Sequence, residues 1–213
     1  TNQSWGKGTA KQKIGDFYAV AMDSVRIEKM GYKPIAPDLK KIDALQNKKD
    51  LIKYLAQEYV NGNGLIFNFG ASVDAKKSEM YTAYLSQSGL GLPDVEYYTK
   101  DDSRSKDIRE KYSSHVANMF KLIDVAPEVA AEYSKAIMNV EGKLAKASNT
   151  RLENRDPVKT YNKMTLDNLI KLSGSFDWKN YFELIGLPNL DFLVVSQPKF
   201  FSQLSSTMDE VSL

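Results

Sequence analysis

The sequence predicts a mainly α fold with one small β element, and three features lead to that prediction. Apolar residues recur at helical spacing through Ile108, Tyr112, Val116, Met119, Phe120 and Ile123, and again through Val129, Tyr133, Ile137, Val140 and Leu144. The run Leu65-Ile66-Phe67-Asn68-Phe69 is short, apolar and bounded by glycines, which suits a strand better than a helix. Hydrophobic residues make up 42% of the 213 residues and charged residues 26%, an ordinary globular balance that excludes disorder and a fibrous class. One mainly helical domain spanning residues 1–213 is therefore expected.

Taken in order, the first period runs through Ile14, Phe17, Tyr18, Ala21, Met22 and Val25, one face of a helix that Gly31, Pro34 and Pro37 bring to an end. Asp38 is placed to cap a short helix carrying Leu39, Ile42 and Leu45. Leu51, Ile52, Leu55, Tyr59 and Val60 mark the next helix, closed by Gly62 and Gly64. Met80 to Leu85 is rich in strand formers and lies one turn beyond the 65–69 run, so a hairpin near 65–86 is expected. Gly89-Leu90-Gly91-Leu92-Pro93 breaks regularity. The two long periodic stretches follow, with Pro127 in the first turn of the second. Their short connection predicts a long antiparallel helix hairpin. Residues 149–164 read as irregular, with Asp156-Pro157 as a cap and first-turn proline. Thr165 caps a short helix to Leu172, a further helix covers about 177–185, Phe192 to Val195 reads as a buried strand, and Pro198 opens a last helix. The end, Met208 to Leu213, lacks a clear terminator and favours truncation; any export signal lies outside Thr1.

The charge balance excludes several partners. Lys and Arg total 29 against 27 Asp and Glu, a net charge of +2, too small to imply nucleic acid or an anionic membrane. The densest lysine group, Lys40, Lys41, Lys48, Lys49 and Lys53, is interleaved with Asp38, Asp43 and Asp50, as on a solvated helical face. There is no cysteine, which removes disulfides, thiolate metal sites and cysteine nucleophiles together. No apolar run approaches the ~20 residues of a membrane-spanning helix.

Hydrolytic chemistry needs groups that the chain does not supply. A zincin places two histidines four residues apart on a helix with a glutamate between them, and this chain has one histidine, His115. Ser113 and Ser114 are its sequence neighbours and do not face it, and no G-x-S-x-G elbow is present. His115 adjoins the apolar stripe and reads as structural. Gly62-Asn63-Gly64 and Gly89-Leu90-Gly91 lack the spacing of phosphate-binding loops and read as turns. Carboxylate pairs such as Asp101 with Asp102, or Glu153 with Asp156, read as solvated caps.

Three segments resemble the N-terminal, mainly helical region of neprilysin-like zinc endopeptidases. Leu90-Gly91-Leu92-Pro93-Asp94-Val95-Glu96-Tyr97-Tyr98 matches the pattern L-G-L-P-x-x-x-Y-Y. Arg155-Asp156-Pro157 followed by Tyr161-Asn162-Lys163-Met164-Thr165 matches the run around Y-N-K-M-T. Gly70-Ala71-Ser72-Val73-Asp74 to Ser78 is a weaker match to a polar turn, and Gly15-Asp16-Phe17-Tyr18 and Ile42-Asp43 add to it. The resemblance spans roughly residues 14 to 204.

That resemblance implies the non-catalytic part of a larger two-domain peptidase: a helical wall facing a zinc-bearing catalytic domain across a cavity that admits short peptides. It implies zinc in the full-length enzyme and none in this chain, and no catalytic, metal or cofactor residue is carried over. It implies two partners, the catalytic domain of the same polypeptide and short peptide substrates; the charge balance and the lack of a long apolar run leave out nucleic acid and a transmembrane segment in this chain. It further implies an exported location, periplasmic, cell-surface or extracellular, and the lack of cysteine suggests a bacterial member. Arg155, Asp156, Tyr161, Asn162 and Lys163 are the candidate structural or interdomain motif. They either fix the hydrogen bonds of their own loop or touch the catalytic domain. The competing reading is a stand-alone helical module that binds protein or peptide without enzymatic activity, and the reading frame beyond Leu213 distinguishes the two.

Overall fold

Phe67 and Leu85 lie fully inside the protein, and the strands that carry them organise what surrounds them. The computed structural model describes residues 5–211, and the chain divides into two units, residues 1–44 and 45–213. The readings made for Thr1 and for Ser212 and Leu213 lie outside the described residues.

The first unit contains α1 (Ala10–Met22), α2 (Ser24–Met30), a 3₁₀ turn (Lys33–Ile35) and α3 (Ala36–Asp43). The helix expected to continue to Val25 breaks at Asp23, whose side chain accepts from the Arg26 amide 3.0 Å away. A short carboxylate satisfies free amides at a helix start better than it fits a helix interior, so the chain restarts there. Gly31 closes α2 with φ 52°. Pro37 lies in the first turn of α3, so Asp38 sits inside that turn and does not cap it from in front. Among the described residues of this unit none is buried.

The second unit begins with α4 (Lys48–Val60), capped by Asn47 through the amides of Lys49 and Asp50. Strands β1 (Phe67–Asp74) and β2 (Lys77–Gln87) form an antiparallel hairpin in which Phe67 pairs with Gln87 and Val73 with Tyr81, and the register slips between Val73 and Asp74. Then come α5 (Glu96–Thr99), α6 (Ser103–Lys121), α7 (Pro127–Ala147), a 3₁₀ turn (Glu153–Arg155), β3 (Lys163–Thr165), α8 (Leu166–Leu172), α9 (Trp178–Leu184), β4 (Phe192–Val195) and α10 (Pro198–Glu210). Thr165 caps α8 and Asp177 caps α9, each through the amide three residues on.

The expected fold class needs correction. A small β hairpin near 65–86 beside a long antiparallel helix hairpin does not describe this organisation. The strands form a four-stranded mixed sheet in the order β1-β2-β4-β3. β4 runs parallel to β2, with Ala83 opposite Leu193 and Leu85 opposite Val195, and β3 runs antiparallel to β4, with Lys163 opposite Val194. Three residues of β3 are too few to show a period of two, and its partner lies some thirty residues away, so local pattern reads the segment as irregular. Helices α6 and α7 meet through the hydroxyls of Ser113 and Ser134 at 2.8 Å and the rings of Phe120 and Tyr133. On α7 the buried positions are Ala130, Ser134, Leu144 and Ala145, whereas Val129 and Tyr133 of the expected stripe are exposed.

The core lies against the sheet. Phe67 is ringed by Phe176, Trp178 and Tyr181 at centroid distances of 5.5, 5.3 and 5.4 Å, mostly edge to face. Leu85, Leu169, Leu193, Val195, Phe200 and Phe201 complete it. Each such ring pair adds roughly 0.5–1.5 kcal/mol beyond its burial. This core fixes the sheet from which both motif loops leave.

Candidate functional site

The Y-N-K-M-T segment leads into β3 and converges on one carboxylate. Asp74, at the end of β1, is 1% exposed although Val73, Ala75 and Lys76 around it are exposed. Its cover is its own set of partners. The Tyr161 hydroxyl donates to Oδ1 at 2.8 Å, the Lys163 ammonium to Oδ2 at 2.9 Å, and the Lys76 amide to Oδ1 at 2.9 Å. The Lys76 ammonium lies 4.6 Å from the Tyr161 ring centroid. β1 and β3 are opposite edges of the sheet, so these bonds tie the curled end of the hairpin back across it.

Charge complementarity keeps each group in its ordinary ionic form. The Lys163 ammonium, then the Lys76 amide and the Tyr161 hydroxyl, hold the Asp74 carboxyl down at about 2. The same carboxylate raises Lys163 and Tyr161 above their usual values. None of the three changes charge near neutral pH, so the cluster is suited to clasping rather than to proton transfer.

The other residues of the motif face their own loop. Asp156 Oδ1 accepts from the amides of Val158 and Lys159, and its carbonyl accepts from Thr160, a single turn with no helix beyond Pro157. Asn162 donates its side-chain amide to the Lys159 carbonyl, and its own carbonyl accepts from Val195. The Arg155 side chain is exposed, and no hydrogen bond or ion pair holds it among the described residues. Tyr161 and Lys163 are thus brought together on Asp74, Asp156 and Asn162 bond locally, and Arg155 stands apart.

The L-G-L-P segment converges on a second carboxylate, Glu141 of α7. The Tyr98 hydroxyl donates to Oε2 at 2.6 Å, and the Tyr112 hydroxyl and Gly91 amide donate to Oε1 at 3.0 and 3.2 Å. Tyr98 also accepts from the Leu92 amide. Burial, then Glu141, pushes Tyr112 up to about 12 and raises Tyr98 further. The glycines answer to close approach. A Cβ on Gly91 would overlap the Tyr112 hydroxyl and stand 2.6 Å from Cζ, and one on Gly89, at φ +84°, would lie 2.7 Å from the Ile66 Cα. Loop 149–155 is held between the two motifs. Gln87 and Asn149 exchange bonds of 2.9 and 2.7 Å, Gln197 donates to Asn154, and Arg151 pairs with Asp94 at 2.8 Å.

Sequence reasoning missed Asp74, Glu141 and Gln87 as anchors. Asp74 carried a signal, since aspartate is disfavoured in strands and one at a strand end needs a partner. Glu141 lies on a polar helix face among other charged residues, and nothing local sets it apart.

A sequence model described as Peptidase family M13 matches residues 1–213. The chain belongs to this family. It is the N-terminal region of M13 peptidases, which are zinc metalloendopeptidases, in line with the neprilysin-like resemblance of its segments. Among solved structures, the zinc metalloprotease ZMP1 of Mycobacterium tuberculosis in complex with an inhibitor superposes with a TM-score of 0.83 and 31% identity, covering 96% of this chain and 31% of that one. PepO of Lactobacillus rhamnosis matches at 0.70 with 16% identity, a likeness of fold alone. The neutral endopeptidase of Lactococcus lactis subsp. cremoris is 25% identical over 91% of this chain and 31% of its own length. Human endothelin-converting enzyme 1 is 24% identical over 98% of this chain and 28% of its length. The chain thus spans about a third or less of these relatives.

The M13 zinc ion does not fit the residues present. His115 is exposed on α6, cysteine is absent, and no group of three or more His, Cys, Asp or Glu among the described residues is placed to hold a metal. No helix among them is long and apolar enough to cross a membrane.

Proposed function

We propose that this chain forms the substrate-enclosing wall of an M13 zinc endopeptidase, packing on a zinc-bearing region of the same polypeptide and restricting entry to short peptides. The family match over residues 1–213 carries this reading. The geometry supports it: the aromatic core and the anchors at Asp74, Glu141 and Gln87 hold the hairpin and loops rigid. A rigid wall excludes bulky substrates by shape and affects turnover through water exclusion and placement. Arg155, exposed and unheld while the side chains of Asp156, Tyr161, Asn162 and Lys163 are bonded, is the member of its motif free to reach the catalytic region.

The first unit suits a surface that packs on that region. Ile14, Phe17, Tyr18 and Val25 are 69%, 79%, 62% and 79% exposed, and so many exposed large apolar side chains in one unit suit an interaction surface. An exported location goes with this reading.

The test is the natural gene product, recovered from its source cells with an antibody to this chain. A polypeptide well beyond 213 residues that holds zinc and cleaves a short peptide is the expected result. A zinc-free, inactive product ending at Leu213 would overturn the reading in favour of the stand-alone binding module.

A further inference from the structure

Two Asn-Gly pairs stand back to back between α4 and β1, Asn61-Gly62 and Asn63-Gly64, and all four residues are exposed. Sequence alone makes them equivalent. Glycine lacks the Cβ that shields its amide nitrogen, so either asparagine could be attacked by the nitrogen that follows it. The structure separates the two. The Gly62 amide donates to the Tyr59 carbonyl at 2.9 Å, and Asn61 is held helical at φ −73° and ψ −4° as the cap of α4. The Gly64 amide has no hydrogen bond among the described residues. Its proton is open to base in solvent, while that of Gly62 is held by a carbonyl.

We propose that Asn63 is a site of self-modification, at which the folded chain converts asparagine to aspartyl and isoaspartyl while Asn61 is spared. The deprotonated Gly64 nitrogen attacks Cγ of Asn63, a C–N bond forms, and the side-chain nitrogen leaves as ammonia. The resulting succinimide takes up one water. Opening at Cγ returns aspartate, and opening at the main-chain carbonyl routes the backbone through the side chain as isoaspartate. No oxidant or cofactor is required.

The product acts on the end of α4. The Asn63 side-chain amide donates to Glu58 Oε2 at 2.7 Å, and the Asn61 amide to Glu58 Oε1 at 3.3 Å. Conversion replaces the first donor by a second carboxylate beside Glu58, at the negative end of a helix, where both repulsion and the helix dipole oppose it. The connection from α4 into β1 loosens, and isoaspartate there offers a substrate to an isoaspartyl-directed methyltransferase.

The whole chain, held folded in warm neutral buffer and followed by peptide mapping, tests this. Asn63 is expected to convert faster than Asn61 by about tenfold, the factor that ~1.4 kcal/mol of amide hydrogen bonding imposes. In urea-unfolded chain the two rates should converge. Gly64→Ala, whose Cβ would meet only Asn68 Oδ1 at 3.4 Å and the Phe67 carbonyl at 3.6 Å, ordinary contact distances, should slow conversion at 63 and leave 61 unchanged. Methyl transfer by an isoaspartyl methyltransferase should label the aged wild-type chain several-fold more than the Gly64→Ala chain. Equal rates at both sites in folded chain, or faster loss at Asn61, would overturn the proposal.

Discussion

Asp74 shows how one buried carboxylate is made tolerable by its surroundings. An isolated charge removed from water is costly, and here two side-chain donors and one amide repay that cost. Its depressed pKa sets a direction for acid stability. The unfolded carboxyl titrates near ~3.9 and the folded one at about 2, so the clasp contributes fully above the unfolded value and is lost as pH falls between them. Urea midpoints measured against pH should fall along this limb in wild type and flatten in Asp74→Asn. Lys163→Met should weaken the limb more than Tyr161→Phe, because the ammonium is the largest influence on Asp74. Gly91 is a residue of the opposite kind, important for what it lacks. Gly91→Ala should cost about 1–3 kcal/mol by overpacking Tyr112. In Tyr112→Ala background that cost should shrink, a non-additivity read from a double-mutant cycle of unfolding midpoints.

Among the elements, β2 joins the two halves of the sheet. It pairs with β1 along most of its length and with β4 over Ala83 to Leu85. Leu85 is wholly buried there, in the same core as Phe67. Leu85→Ala should cost about 2–5 kcal/mol in urea unfolding, the usual range for emptying a packed leucine site. The helices depend on tertiary contacts to different degrees. α9 and α10 bury aromatic faces against the sheet, and α7 buries Ala130, Ser134 and Ala145 along with Leu144, the small residues letting a neighbour approach closely. α1 buries none of its residues. Its amphipathic pattern marks a face, and the pattern cannot say what covers it.

Across the whole molecule, the anchors and the exposed face divide the substitutions into two groups. Phe17→Ser, at a side chain 79% exposed, should change the stability of the 213-residue chain by no more than about 0.5 kcal/mol. In the longer peptidase proposed here, the same substitution should lower the thermal midpoint, because the face would then be buried. Equal, negligible effects in both would remove the docking role of α1. Arg155→Ala offers a companion test. An unchanged thermal midpoint with reduced kcat/KM in that longer enzyme would place Arg155 toward the catalytic region, and lost stability with unchanged kcat/KM would place it in its own loop.

Local chemistry alone settled much of this protein. Thr165, Asp177, Pro127 and Pro198 announced helix starts that the structure has, since capping and fixed φ act within a few residues. The hairpin strands were legible from strand formers on either side of a polar turn. The two motifs were legible as motifs. Long-range pairing was left to the tertiary structure. β3 joins the sheet through β4 across some thirty residues, and Asp74 meets Lys163 across 89, distances over which local periodicity carries no information. The reactivity of Asn63 against Asn61 belongs there too, because it turns on whether one amide proton finds a carbonyl. Propensity is read along the chain, but which polar groups end up partnered is decided only when distant segments share one interior.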